Sequence, residues 1–300
     1  MRASSLVEHR VTVVVAVLLA AAVAAAAART KNECHSGDKA ALLAIKSAFG
    51  NASFFNSWTP DTPCCEWANV SCDSSSSSTA RRVVAVSFLN DAGLAGPLPG
   101  AAIARLTALQ QLVLNNVPGV NGTIPHDLTR LSATLSFLTI TSTGISGPVP
   151  PFLSEITALG YLSLSSNSLT GPIPASLGDM PNLYFLDLGS NRLTGTIPPL
   201  LLSKGPRRRV PIPLPQQARR RRSRRVRRPA GEPQQLELSH NDIYGDIPEQ
   251  VVHLMLEYLN VSYNRLSGTV PAGGNMAWFD QSCFQHNKGL CGTPLPPCKE

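Results

Sequence analysis

Apolar residues recur along this chain at a spacing that neither a lone helix nor a lone strand would produce. Leu159-Gly-Tyr-Leu162-Ser-Leu164-Ser-Ser-Asn167-Ser-Leu169-Thr-Gly171-Pro-Ile173-Pro174 returns 24 residues later as Leu183-Tyr-Phe-Leu186-Asp-Leu188-Gly-Ser-Asn191-Arg-Leu193-Thr-Gly195-Thr-Ile197-Pro198. The same template fits Leu135, Leu138, Ile140, Ile145, Gly147, Val149 and Pro150, and fits Leu109, Leu112, Leu114, Val120, Gly122, Ile124 and Pro125 with one extra turn residue. A degenerate first copy begins at Val83, Val86 and Phe88, and two later copies are built on Leu236, Leu238 and Asn241 and on Leu259, Val261 and Asn264, so seven units are readable. Within each unit the Leu-x-Leu core alternates with period two. That predicts a short parallel strand with the leucines inward and the intervening residues outward. The Asn that follows is placed to bond backbone groups of the neighbouring turn, Gly allows positive φ, and Ile-Pro starts the return stretch. One such coil cannot bury its apolar face alone, so the coils stack as a solenoid that requires caps.

The ends look like those caps. Asp38 is expected to begin an amphipathic helix carrying Leu42, Ile45 and Phe49 on one face, with Gly50 as its stop. Trp58 and Trp67 are expected in the cap core. All seven cysteines lie at the two ends: Cys34, Cys64, Cys65 and Cys72, then Cys283, Cys291 and Cys298. A Cys-free middle between two clusters reads as two terminal staples in an oxidising compartment. A vicinal Cys64–Cys65 bond would be a strained ring, and of the remaining pairings Cys34–Cys64 with Cys65–Cys72 is the one expected. Cys291–Cys298 covers the last coil and leaves Cys283 over. No His completes a zinc spacing, so no metal is expected.

Composition agrees with many short turns and few bulky side chains: 25 Pro and 22 Gly in 300 residues, with 6% aromatic and 15% charged. The net charge of +7 invites a nucleic-acid reading until the charges are located. Residues 203–233 hold Lys204 and 11 Arg against Glu232 alone, which leaves 14 basic and 18 acidic residues for the rest of the chain. The solenoid itself is mildly acidic, and no nucleic-acid partner is expected. Six prolines and dense like charge predict a disordered insertion over 203–233. Three readings fit it: translated intron or a divergent allele, which ranks first and would split the solenoid and impair function; a loop for acidic wall pectate, whose contacts would weaken with salt; and a nuclear or nucleic-acid arm, which the N-terminus argues against.

That N-terminus carries Arg2 and Arg10 before an apolar run from Val11 to Ala28 ending in an alanine tract, as a cleaved secretory signal does. Sequons at Asn51, Asn69, Asn121 and Asn260 fit a glycoprotein. The expected organisation is a signal peptide over 1–28, an N-terminal cap over 29–82, repeats 1–5 over 83–202, the basic insertion over 203–233, repeats 6–7 over 234–273 and a C-terminal cap over 274–300. The expected location is extracellular, in the cell wall or apoplast, with no membrane span after cleavage.

The motif L-x-x-L-x-L-x-x-N-x-L-x-G-x-I-P resembles the plant-type extracellular leucine-rich repeat. The stretch from Cys34 to Asp73, with Trp58, Cys64-Cys65, Trp67 and Cys72, resembles the N-terminal cap of that family, and Asn287-Lys288-x-Leu290-Cys291-Gly292 resembles its C-terminal cap. The implied fold is an α/β leucine-rich-repeat solenoid: a right-handed superhelix with a concave parallel β-sheet and disulfide-stapled caps. Trp58-Thr-Pro-Asp-Thr-Pro-Cys-Cys and Ile145-Ser-Gly-Pro-Val-Pro-Pro-Phe152-Leu-Ser are most similar to plant polygalacturonase-inhibiting proteins and their relatives linked to floral organ development. The resemblance implies binding of fungal endopolygalacturonase through the concave face and inhibition by blocking its substrate cleft. Two departures stand out. About three repeats are missing around the insertion, and a second C-terminal disulfide of the family is absent, its positions reading Ser267 and Gly289.

No enzyme constellation is present. His35, His126, His240, His253 and His286 lie in cap, turn or repeat positions with no nucleophile or carboxylate at a recognisable spacing, and no cofactor loop is visible. The candidate partner-binding surface is the outward strand row: Ser87, Val113, Phe137, Thr139, Tyr161, Ser163, Tyr184, Phe185, Asp187, Glu237, Glu257 and Tyr258. Aromatic and isolated acidic side chains on a rigid sheet suit a protein partner with a basic or sugar-binding cleft. A glycan on Asn260 would share that face. The alternative to enzyme inhibition is a soluble signalling module that binds a peptide or a receptor kinase.

Overall fold

Each Leu-x-Leu segment enters one long sheet in the computed structural model, which describes residues 34–74, 80–203 and 234–299. The expected signal peptide and residues 204–233 of the basic insertion lie outside the described residues. The sheet starts with Val70–Cys72, antiparallel to Val83–Leu89, and continues in parallel through Gln111–Gly122, Phe137–Pro148, Tyr161–Ser163, Phe185–Asp187, Gln235–Glu237 and Tyr258–Asn260. Register holds Val86, Leu112, Leu138, Leu162, Leu186, Leu236 and Leu259 in a single row, each at most 1% exposed. Stacking therefore turns seven separate apolar side chains, six leucines and Val86, into a continuous core, which no single coil could do.

The return stretches carry short 3-10 turns such as His126–Leu131, Pro151–Glu155 and Ala175–Asp179. Among the described residues, α-helix is confined to Ser36–Ala48 and Gly100–Ile103.

The asparagines close each bend. Asn191 Nδ2 donates to Leu164 O of the preceding coil at 2.9 Å and to Leu188 O of its own at 3.0 Å, while its Oδ1 accepts from Leu169 N at 3.0 Å. Asn167, Asn241, Asn264 and Asn287 repeat the arrangement. The residue before each takes positive φ, as in Ser166 (56°), Ser190 (54°), His240 (55°) and Tyr263 (54°), a conformation of roughly 1 kcal/mol cost that the buried hydrogen bonds offset. The repeat glycine is needed for a second reason as well. At Gly268, with φ of 80°, a Cβ would lie 2.6 Å from Asp246 Oδ1 of the neighbouring coil.

The expected split at the insertion does not occur. Phe185–Asp187 and Gln235–Glu237 pair directly, Leu188 N donates to Glu237 O at 2.9 Å, and Asn241 Nδ2 reaches back to Leu188 O at 3.1 Å. A coil needs only correct residues on its two sides, so the sheet continues whatever the length of the intervening chain. Ser203 belongs with the preceding coil, its Oγ donating to Pro199 O at 2.8 Å. The C-terminal cap also holds an eighth coil: Val261 N donates to Cys283 O, Tyr263 N to Gln285 O, and Asn287 continues the asparagine row. Ser267 and Gly289 are register partners there, and a Cβ on Gly289 would fall 2.8 Å from Ser267 Cβ.

At the other end the cap helix begins at Ser36, two residues before the expected Asp38, because His35 Nδ1 accepts from Gly37 N at 3.2 Å and takes the capping role. Asp38 is instead 1% exposed and turned toward the first coil. Phe49, Phe55, Trp58, Trp67 and Phe88 fill the space between helix and sheet, with the two indoles stacked at 5.5 Å. Lys46 Nζ donates to Trp58 O at 2.8 Å and Phe55 O at 3.3 Å. Disulfides join Cys34–Cys64, Cys65–Cys72 and Cys291–Cys298, and Cys283 is free.

Candidate functional site: the concave face

Parallel register converts the outward residues into two columns that run along the sheet. One reads Ala85, Gln111, Phe137, Tyr161, Phe185, Gln235 and Tyr258; the other reads Ser87, Val113, Thr139, Ser163, Asp187, Glu237 and Asn260. Strand neighbours lie about 4.8 Å apart, which suits ring stacking. Phe137 and Tyr161 stack with centroids 4.1 Å apart, and Tyr161 and Phe185 stack at 3.9 Å. Most ring faces in this ladder are therefore occupied by other rings, so a partner meets chiefly ring edges and the Tyr161 hydroxyl. Burial, with Asp187 and Tyr184 nearby, pushes the Tyr161 hydroxyl above its ordinary pKa.

Beside the ladder sit two carboxylates with neutral partners only. Asp187 accepts from Ser163 Oγ at 2.7 Å and Gly189 N at 3.0 Å; Glu237 accepts from Ser239 N at 2.7 Å and from the Tyr258 hydroxyl at 2.7 Å. Burial and the bond to Glu237 push the Tyr258 hydroxyl up to about 12. A depression of about 240 Å³ lies here, lined by Phe185, Leu186, Asp187, Gln235, Glu237 and Tyr258.

Several candidate residues sit elsewhere than expected. Ser163 is only 3% exposed, because its short side chain bonds to Asp187 between taller neighbours, so it supports the face without being part of its surface. Tyr184 and Glu257 precede their strands instead of alternating within them. Tyr184 is exposed at the rim, edge-on to Tyr161 at 6.4 Å and over Gly160, where a Cβ would come within 2.8 Å of its ring. Ser87, Val113 and Thr139 are half-buried at the N-terminal end of the second column. Gln111 and Gln235 also belong to the first column; their place immediately before the first leucine of each Leu-x-Leu segment, the place Tyr161 and Phe185 hold in their units, is the signal that marks them. Asn260 is half-buried in the second column, its Oδ1 accepting from Ser262 N and Oγ. Asn51 and Asn69 are exposed at positive φ, and Asn121 is exposed on the opposite strand row.

A second ring stack was also missed. His240, Tyr263 and His286, each just before an asparagine of the hydrogen-bonded row, stack at 4.1 and 4.0 Å. His35 was expected to lack a carboxylate neighbour, yet its Nδ1 lies 4.0 Å from Asp38; that carboxylate is committed to Arg82, and His35 caps the helix. Cys34, Cys64 and Cys65 cluster within 4.8 Å, a closeness that follows from their disulfides. The Cys283 thiol is pushed up by burial and then by Asp280. No helix among the described residues is long and apolar enough to cross a membrane.

The Leucine rich repeat N-terminal domain matches residues 35–73, and the Leucine Rich Repeat matches 158–180, 182–203 and 255–274. Polygalacturonase inhibitor 1 of Arabidopsis thaliana is 50% identical over 64 residues, covering 21% of this chain and 19% of the relative. The rice (Oryza sativa subsp. japonica) Polygalacturonase inhibitor 1 is 41% identical over 115 residues, covering 37% and 32%. The chain is a leucine-rich-repeat protein, similar over part of its length to plant polygalacturonase inhibitors. Its matched stretch spans only about a fifth of the Arabidopsis inhibitor's length. Among solved structures, a plant ice-binding protein of this fold is similar at TM-score 0.54 and 30% identity, covering 89% of this chain and 99% of that one. The receptor kinase HAESA, solved with the peptide hormone IDA and the co-receptor SERK1, shares the fold at TM-score 0.62 and 23% identity, covering 86% of this chain and 42% of that one.

Proposed function

We propose that this protein is an extracellular, non-catalytic binding module that inhibits a fungal endopolygalacturonase by seating its concave face on the enzyme. The observation that carries the reading is the Phe137–Tyr161–Phe185 ladder flanked by Asp187 and Glu237, whose hydrogen-bond partners are all neutral. Aromatic side chains on a rigid sheet lose little conformational freedom on binding, and unneutralised acids complement a basic cleft. Inhibition on this reading is steric: the solenoid covers the substrate cleft and performs no chemistry. Glycans at Asn51, Asn69 and Asn121 would leave the face open, whereas one at Asn260 would narrow it at the C-terminal end. Titration of the secreted protein against a panel of fungal endopolygalacturonases tests the reading; a folded sample that inhibits none overturns it. Binding to a peptide or receptor kinase in place of the enzymes would assign the face to signalling.

A further inference from the structure

We propose that the joint between Phe185–Asp187 and Gln235–Glu237 is a self-sufficient binding interface: residues 34–203 hold residues 234–299 as a partner, and the peptide chain that links them is not needed for the hold. The hold is independent of what the concave face binds. The coil before shows what a continuous chain builds. Leu162 and Leu186 are 24 residues apart and Leu186 and Leu236 are 50 apart, yet the two joints are bonded alike. In the earlier joint Leu164 N donates to Asp187 O at 2.8 Å, Asn167 N to Ser190 O at 3.2 Å, and Asn191 Nδ2 to Leu164 O at 2.9 Å. In the later one Leu188 N donates to Glu237 O at 2.9 Å, Asn191 N to His240 O at 3.1 Å, and Asn241 Nδ2 to Leu188 O at 3.1 Å. The longer connection has cost the joint none of these bonds.

The joint is also apolar and closely fitted. Leu186, Leu188 and Leu193 on one side and Leu236, Leu238 and Ile243 on the other are each at most 1% exposed and belong to one core. A Cβ on Gly245 would lie 3.0 Å from Thr196 Cγ2, so the coils approach closely on the second sheet as well. Apolar burial with paired backbone groups at fitted surfaces is what holds separate chains together. Each disulfide falls within one half: Cys34–Cys64 and Cys65–Cys72 in the first, Cys291–Cys298 in the second. No disulfide among the described residues crosses the joint. The depression on the concave face is completed by it, with Phe185, Leu186 and Asp187 from one half and Gln235, Glu237 and Tyr258 from the other. Separation of the halves would take that depression apart.

The full chain is tested with the recognition sequence of a site-specific protease inserted after Gly205 or, in a second variant, after Gly231. After digestion, denaturing electrophoresis shows two pieces, while size exclusion at about 1 µM is expected to show one particle, which places Kd below that concentration. Asn241→Ala removes the bonds of Asn241 to Leu188 O and Leu193 N across the joint and is expected to raise Kd at least ~10-fold. Asn264→Ala removes the matching bonds to Leu238 O and Ile243 N inside the second half and is expected to change Kd less than ~3-fold. Digested halves that elute separately or precipitate would overturn the proposal, as would an Asn264→Ala effect equal to that of Asn241→Ala. Unfolding of the uncut chain by both insertions would overturn it too, since the joint would then depend on its connection.

Discussion

Asp38 and Arg82, 44 residues apart, form a two-pronged ion pair that fastens the N-terminal cap to the first coil. Arg82 Nε and Nη2 donate to the two oxygens of Asp38, each at 2.9 Å, and Val83 N donates to Asp38 Oδ2 at 2.9 Å. Arg82 Nη2 extends the contact to Thr107 Oγ1 at 2.8 Å. The aspartate that marks the helix start in the sequence is thus a link between two modules.

Replacing Asp38 with Ala is expected to cost about 3 kcal/mol, at the lower end for a broken buried pair because the Arg82 side chain is 31% exposed and regains some hydration. Urea unfolding at neutral pH measures it. A loss below about 1 kcal/mol would mean that the cap is held by its aromatic core alone.

Asn191→Ala removes the donor to Leu164 O and Leu188 O and the acceptor for Leu169 N, leaving buried backbone groups without partners. Loss of roughly 3 kcal/mol is expected. The same change at Asn56, exposed in the N-terminal cap at a φ of −60°, is expected to alter stability by less than about 0.5 kcal/mol, so paired denaturation curves separate the two.

Tyr258 supplies a pH signature. Its pKa is raised to about 12 in the folded protein, so the stability it contributes is fully present below the unfolded tyrosine pKa of about 10 and is lost as pH rises through the folded value. Alkaline titration followed by phenolate absorbance is expected to contain one late-titrating tyrosine that disappears in Tyr258→Phe. Persistence of that phase in the variant would assign it elsewhere.

The two N-terminal disulfides close loops of different length, 30 and 7 residues in sequence separation. Loop-closure entropy predicts that replacing the Cys34–Cys64 pair costs more than replacing Cys65–Cys72, by roughly 1 kcal/mol. Thermal denaturation of the two double-alanine variants checks the order.

On the concave face, Tyr161→Ala is expected to weaken binding of an inhibited polygalacturonase by about 2 kcal/mol, since it removes the middle ring of the ladder. Ser163→Ala is expected to do less, because Ser163 is 3% exposed and acts through Asp187. Calorimetric titration compares them directly.

The coil, its inward leucines and the asparagine bonds were legible because they are periodic: each rests on residues within one unit of about 24. Aromatic and acidic positions of the face followed from the same parity. Ser163 shows where parity stops being enough, since facing outward does not make a short side chain exposed between tall neighbours. Tyr184 and Glu257 show the other limit, because alternation holds only inside a strand and the strands here begin one residue later.

Sequence by itself therefore determined the repeat, the inward and outward sides of its strands, the place of Trp58 and Trp67 in the N-terminal cap core and the location of the charge in residues 203–233, all consequences of local pattern and composition. Only the tertiary structure decided which coils touch. It brought Phe185–Asp187 beside Gln235–Glu237, added an eighth coil inside the C-terminal cap, and stacked His240 on Tyr263 and Tyr263 on His286. The physical reason is that a parallel sheet sets neighbours by hydrogen-bond register and strand spacing, not by distance along the chain, so a surface built from columns across coils is settled only when the coils stack.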